Sequence, residues 1–137
     1  MIQAAVEGLT EGSGGEAGVL VVTVLTSLDE DGLRKTGVDH GLREQVATIA
    51  ELAARSGAEG VVSSILEVPI VNEVAPSLKV VTPGIRASDA DRDDQRRIGT
   101  LTEALEAGAD LVVVGRRITG AHDVVAAARA LALEAGF

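Results

Sequence analysis

Apolar and polar positions divide the chain into short apolar runs separated by longer stretches with helical spacing. Val19–Leu25, Gly60–Ser64, Leu78–Thr82 and Asp110–Val114 are rich in β-branched residues and close on Gly, Pro or Ser. Runs of this length without alternation read as parallel strands buried on both faces. Between them the apolar positions recur every three or four residues. Met1–Leu9 places Ile2, Ala5, Val6 and Leu9 on one face of a helix. Asp29–Lys35 is a short helix or turn. His40–Ser56 carries a stripe of Leu42, Val46, Ile49, Ala50 and Ala53, and Gly57 stands where a C-capping glycine belongs. Leu66–Val74, Thr100–Ala107 and His122–Ala135 complete the helices. Thr100-x-x-Glu103 has the form of a capping box, and Gly108 ends that helix. Ile85–Ile98 reads as a long charged loop.

A helix followed by four strand–helix units of similar length predicts an α/β fold. It has one parallel sheet and right-handed crossovers. Four such units are half of a TIM-type (β/α)8 barrel, and the length predicts a single domain over residues 1–137. Thr10–Gly18 is a Gly/Ser/Glu linker. Its Gly12-x-Gly14-x-x-Ala17 looks like a dinucleotide fingerprint, but a helix precedes it and a strand follows, the reverse of the context such a loop needs.

Composition narrows the chemistry. Hydrophobic residues make up 46% of the chain, yet there is one Phe and no Tyr or Trp. The core must be built from Val, Leu, Ile and Ala, the side chains that fill barrel interiors. A net charge of −9 argues against nucleic acid or an anionic membrane as partner. The absence of cysteine excludes disulfides, thiolate metal sites and a cysteine nucleophile. His40 and His122 lack the setting of metal ligands or of a triad, so no metal is expected. Ser27, Ser63 and Ser64 have no partner base in sequence context. Asp29, Glu30 and Asp31 read as a solvated helix start. With no signal segment and no apolar stretch long enough for a membrane span, cytoplasm is the expected location.

Candidate chemistry concentrates between Val80 and Arg117. The strand ending at Thr82 runs into Pro83-Gly84-Ile85-Arg86, and the strand ending at Val114 runs into Gly115-Arg116. Each couples a glycine turn to a guanidinium. Exposed backbone N–H groups and a forked cation suit a phosphate dianion, which β/α barrels hold in the loops after their last strands. The pattern predicts a phosphate-ester site at the carboxyl ends of two neighbouring strands. Ala87–Asp94 reads as a flexible acidic loop or a lid over ligand.

Five segments taken together resemble the orotidine 5′-phosphate decarboxylases, most closely the bacterial form. They are Val22–Ser27 (VTVLTS), Glu59–Ser64 (EGVVSS), Val81–Arg86 (VTPGIR), Asp94–Ile98 (DQRRI) and Val113–Thr119 (VVGRRIT). The resemblance covers essentially the whole chain, matched to the second half of a (β/α)8 barrel. It implies a usually homodimeric enzyme that converts orotidylate to UMP and CO2 without metal or organic cofactor. It further implies that Thr26 contacts the pyrimidine, that Arg86 and Gln95 belong to the loop over the phosphate, and that Gly115 and Arg116 form the phosphate turn. The family's catalytic Asp-x-Lys-x-x-Asp segment has no counterpart here, since the lysines are Lys35 and Lys79 alone. No catalytic residue is therefore assigned in this chain, and pairing with the other half-barrel is one expectation. Arg117 stands where the family commonly has Pro, so its charge either disturbs the turn or sits in solvent. Ser63 replaces a common Cys. The alternative is a noncatalytic half-barrel that self-associates and binds phosphate esters. An enzyme of the same barrel group acting on a sugar phosphate is a weaker third reading.

Overall fold

The structure is a computed structural model that describes residues 1–85 and 99–136. Four strands, β1 (Leu20–Val22), β2 (Gly60–Val62), β3 (Lys79–Thr82) and β4 (Leu111–Val112), form one sheet in the order β1-β2-β3-β4. All three pairings are parallel, with Val21 opposite Val61, Val61 opposite Val80, and Val81 opposite Leu111. The helices are α1 (Ile2–Ser13), α2 (Glu30–Lys35), α3 (Leu42–Arg55), α4 (Val68–Val74), α5 (Leu101–Glu106), α6 (Arg116–Thr119) and α7 (Val124–Glu134). A 3₁₀ turn over Ile65–Glu67 leads into α4. Sequential parallel strands joined by helices are the arrangement of half a (β/α)8 barrel.

The core lies between the sheet and its helices. Val61 and Val80 from the strands meet Val46, Ala50 and Ala53 of α3 and Val68 and Val71 of α4, all fully buried. Among the described residues no helix packs on the opposite face. Leu20, Val22, Leu111 and Val113 remain 46–57% exposed, so β1 and β4 are not buried on both faces as their sequences predict. Four strands do not close around their inner side chains, and periodicity along one strand cannot report that.

Most predicted helices are present with shifted ends. α1 continues four residues past Leu9 to Ser13 and stops at Gly14, whose φ is 62°. Gly12 is thus helical rather than part of the linker. The strands are shorter than the apolar runs, although Thr23 still donates its N–H to Val62 at 3.1 Å. The Thr100–Glu103 capping box forms: Thr100 N–H donates to Glu103 Oε2 at 2.8 Å and Glu103 N–H to Thr100 Oγ1 at 3.2 Å. These bonds, the backbone one foremost, hold the Glu103 carboxyl below its ordinary value.

The reading of Asp29 to Asp31 as a solvated start is incomplete. Asp29 caps α2 through its bond from Gly32 N–H at 2.8 Å. Glu30 instead reaches the first N–H of α3, at Leu42, with its two oxygens 3.0 and 3.2 Å away. The N-cap of α3 is Gly41, which has no side chain to offer, so a carboxylate from the preceding helix does the capping. Glu30→Ala is expected to cost about 1 kcal/mol, as loss of a cap does, measured as a lower urea midpoint at unchanged slope.

Candidate functional site

Parallel strands bring their carboxyl ends to one edge of the sheet. Here that edge carries Thr23-Val24-Leu25-Thr26 after β1, Ser63-Ser64 after β2, Pro83-Gly84-Ile85 after β3, and Val113-Val114-Gly115-Arg116 after β4. β3 and β4 are direct neighbours, with Thr82 opposite Val112 and Val113 N–H bonded to Thr82 O at 2.9 Å. The two glycine turns singled out from sequence therefore leave adjacent strands at the same end. Gly84 has φ 82°, a left-handed conformation that favours glycine. Ile85 forms a parallel bridge with Gly99, which brings together the two residues flanking the 86–98 segment. Arg86 and Gln95 lie outside the described residues, as do Arg96 and Arg97.

Gly115 ends the β4 excursion and serves as N-cap of α6, a helix the sequence pattern does not show. The position of a side chain at Gly115 is open, with nothing within 4 Å. Arg116, the first residue of α6, is exposed at the strand-end edge. Ile118 and Thr119 N–H groups bond back to Gly115 O at 2.9 and 3.1 Å and fix the turn. Thr26 is half-buried in a turn closed by Leu28 N–H to Leu25 O at 2.9 Å. It follows β1, at the other margin of the same edge. A ligand touching both Thr26 and Arg116 has to cross the sheet's mouth, three inter-strand spacings of ~4.8 Å each.

Between these margins lies a polar cluster that sequence reading did not assemble. Thr23 Oγ1 donates to Val62 O at 3.1 Å and lies 3.3 Å from Ser63 Oγ. Ser64 donates its N–H, at 3.1 Å, and its hydroxyl to Glu67 Oε2, and both side chains are buried. The Ser64-x-x-Glu67 spacing is the same capping-box signature found at Thr100, so it was open to detection. Neither Ser63 nor Ser64 faces a histidine: His40 is exposed and bonded to Gln45, and His122 is exposed. Among the described residues no group of three His, Cys, Asp or Glu side chains is placed to hold a metal.

Arg117 is not a lone surplus charge. Its guanidinium grips the carboxylate of Glu134 in α7, with Nη1–Oε1 at 3.3 Å and Nη2–Oε2 at 2.5 Å. The sequence gap of 17 residues hides this pair from any local rule. Hydrogen bonding from Arg117 holds the Glu134 carboxyl below its ordinary value of 4.5. For a depressed carboxylate, the pair's stabilisation is complete above the ordinary value and is lost as pH falls through the lowered one.

Lys79 belongs to the opposite end of the sheet. It begins β3 and bonds Glu59 Oε1 at 2.7 Å. That bond, with the attraction between the two charges, lowers Glu59 and raises Lys79. The pair lines a groove of about 400 Å³ beside Leu20 and Leu111, away from the strand-end edge. The active sites of β/α barrels lie at the carboxyl ends of the strands, not at this amino end. Among the described residues, the strand-end edge carries no lysine.

Comparison with known proteins agrees with the segments read from sequence. Residues 1–131 match the family model described as "Orotidine 5'-phosphate decarboxylase / HUMPS family". A relative named orotidine 5′-phosphate decarboxylase from Moorella thermoacetica is 49% identical over 118 residues, 85% of this chain and 47% of its own length. One from Pseudomonas putida is 43% identical over 134 residues, 98% of this chain and 58% of its own. The crystal structure of orotidine 5′-phosphate decarboxylase from Lactobacillus acidophilus superposes with a TM-score of 0.80 at 38% identity, covering 98% of this chain and 57% of that one. The chain spans about half the length of the curated relatives it matches. On the family match over nearly its full length, the half-barrel topology and the relatives' identity, the chain belongs to the orotidine 5′-phosphate decarboxylase / HUMPS family.

Proposed function

We propose that this chain is the nucleotide-gripping half of an orotidine 5′-phosphate decarboxylase, which converts orotidylate to UMP and CO2 in pyrimidine biosynthesis. The observation that carries the reading is the convergence of the Gly84 and Gly115-Arg116 turns at the carboxyl ends of two hydrogen-bonded parallel strands. Gly115 and Arg116 hold the 5′-phosphate, Arg86 and Gln95 cover it, and Thr26 meets the pyrimidine. The reaction leaves negative charge at C6 of the base, which a preorganised ammonium must stabilise. Neither lysine of this chain suits that role: Lys79 is paired with Glu59 at the other end of the sheet, and Lys35 ends α2. The ammonium then comes from the part of the relatives' length that this chain does not span. Binding energy drawn from the remote phosphate organises the reaction centre. The reaction needs no metal or organic cofactor, and the enzyme works in the cytoplasm, apart from nucleic acid and membrane.

The open sheet face supports a second reading, a noncatalytic half-barrel binding phosphate esters. Leu20, Val22, Leu111 and Val113 are exposed, and among the described residues both edge strands lack a neighbour on one side. Exposed edges and apolar faces favour association, either of two copies or with a complementary half-barrel. An orotidylate assay followed by ultraviolet absorbance separates the readings. The first expects turnover when a polypeptide carrying the Asp-x-Lys-x-x-Asp segment is added, and none from the purified chain alone. Turnover still absent after that addition, with a stable dimer that binds UMP, supports the second. Failure of the chain to bind UMP in any assembly overturns both.

A further inference from the structure

We propose that the Arg117–Glu134 ion pair is a positioning device that fixes the Gly115-Arg116 turn and so the placing of the Arg116 guanidinium on a nucleotide's phosphate. The inference rests on the reading of Gly115 and Arg116 as phosphate ligands. α6 spans four residues, a single turn that cannot hold itself in water, and none of its residues is buried. Ile118 rests partly against the core, and Arg117 adds a side-chain tether to a distant helix. α7 supplies the anchor. Leu131 is buried in the core, and Glu134 follows it by one turn on the same face. The link runs from core to Leu131, to Glu134, to Arg117, and to the adjacent Arg116.

Three features separate this pair from an ordinary surface contact. The fork is bidentate, which fixes direction as well as distance. Both side chains are partly covered, at 26% and 29% exposure. The Arg34–Asp31, Arg43–Glu73, Arg55–Glu51 and Lys79–Glu59 pairs leave every partner 47–77% exposed. Glu134 is also the last residue of α7, where the helix dipole disfavours a carboxylate that has no cation beside it. With its guanidinium engaged by Glu134, Arg117 acts on the phosphate through the turn.

The test is titration of UMP into the purified chain and its variants by calorimetry. Arg116→Ala is the control for the site itself. Glu134→Gln and Arg117→Ala are each expected to raise Kd about five- to tenfold. The double variant should be no weaker than either single one, because both remove one link. Arg117→Pro is expected to recover most of the affinity. Proline fixes φ for a first helical turn without any charge, and α4 already carries Pro69 at its second position. A loss that came from the missing charge itself would not be recovered by proline. If Glu134→Gln leaves Kd unchanged or lowers it, Arg117 is a separate cation and the inference fails. It also fails if Arg117→Pro binds as weakly as Arg117→Ala. In both cases a wild-type chain whose binding Arg116→Ala removes keeps the site reading intact. A wild-type chain that binds UMP in no assembly, neither by itself nor with a polypeptide carrying the Asp-x-Lys-x-x-Asp segment, overturns the site reading and this inference together.

Discussion

Arg116→Ala is expected to weaken UMP binding roughly 10- to 100-fold, the equivalent of losing about 1.5–3 kcal/mol from hydrogen bonds to a charged group. The substitution removes an exposed side chain at the first position of α6 and leaves every backbone bond of the turn in place. The turn should therefore persist, and the larger loss should appear in binding. Calorimetric titration of UMP, with a urea melt of each protein beside it, checks both halves of the statement. Arg116→Lys should recover only part of the affinity, because an ammonium keeps the charge but loses the planar fork. Uridine, which has no phosphate, should bind equally to the wild-type chain and to Arg116→Ala. A difference with uridine would mean that Arg116 acts on some other part of the ligand.

The second large effect is on stability, at Gly60 of β2. A Cβ at Gly60 would stand 2.3 Å from the Lys79 carbonyl oxygen and 3.0 Å from Leu20 Cδ2. The oxygen belongs to the neighbouring strand, so relief requires moving backbone within the ladder. Gly60→Ala is expected to cost about 1–3 kcal/mol, at the upper end of overpacking, and to lower the urea midpoint accordingly. Gly8→Ala provides the opposite case. Gly8 lies inside α1, exposed, with nothing within 4 Å of the added carbon. There alanine is expected to stabilise by roughly 0.5–1 kcal/mol through helix propensity and a less flexible unfolded chain. Equal midpoint shifts for the two variants would show that the close approach at β2 and β3 is not real.

The sequence by itself determined the order of elements, the parallel sheet and the place of the candidate turns. β-branched runs closed by glycine and proline report strands locally. The Thr100–Glu103 box and Gly57 report helix ends, because those devices act within a few residues. The pairing of TPG after β3 with GR after β4 was legible because consecutive β/α units put consecutive strands side by side. The count of four strand–helix units gave half a barrel, and the motifs matched it to the second half. Only the tertiary structure decided which strands are buried. β3 lies between two neighbours, whereas β1 and β4 leave Leu20 and Leu111 exposed. Arg117 reads as a surplus charge until α7 brings Glu134 to it. Glu30 reads as solvated until α3 presents Leu42 N–H. Each depends on residues far apart along the chain meeting at one point, and a linear pattern carries no information about where two helices cross.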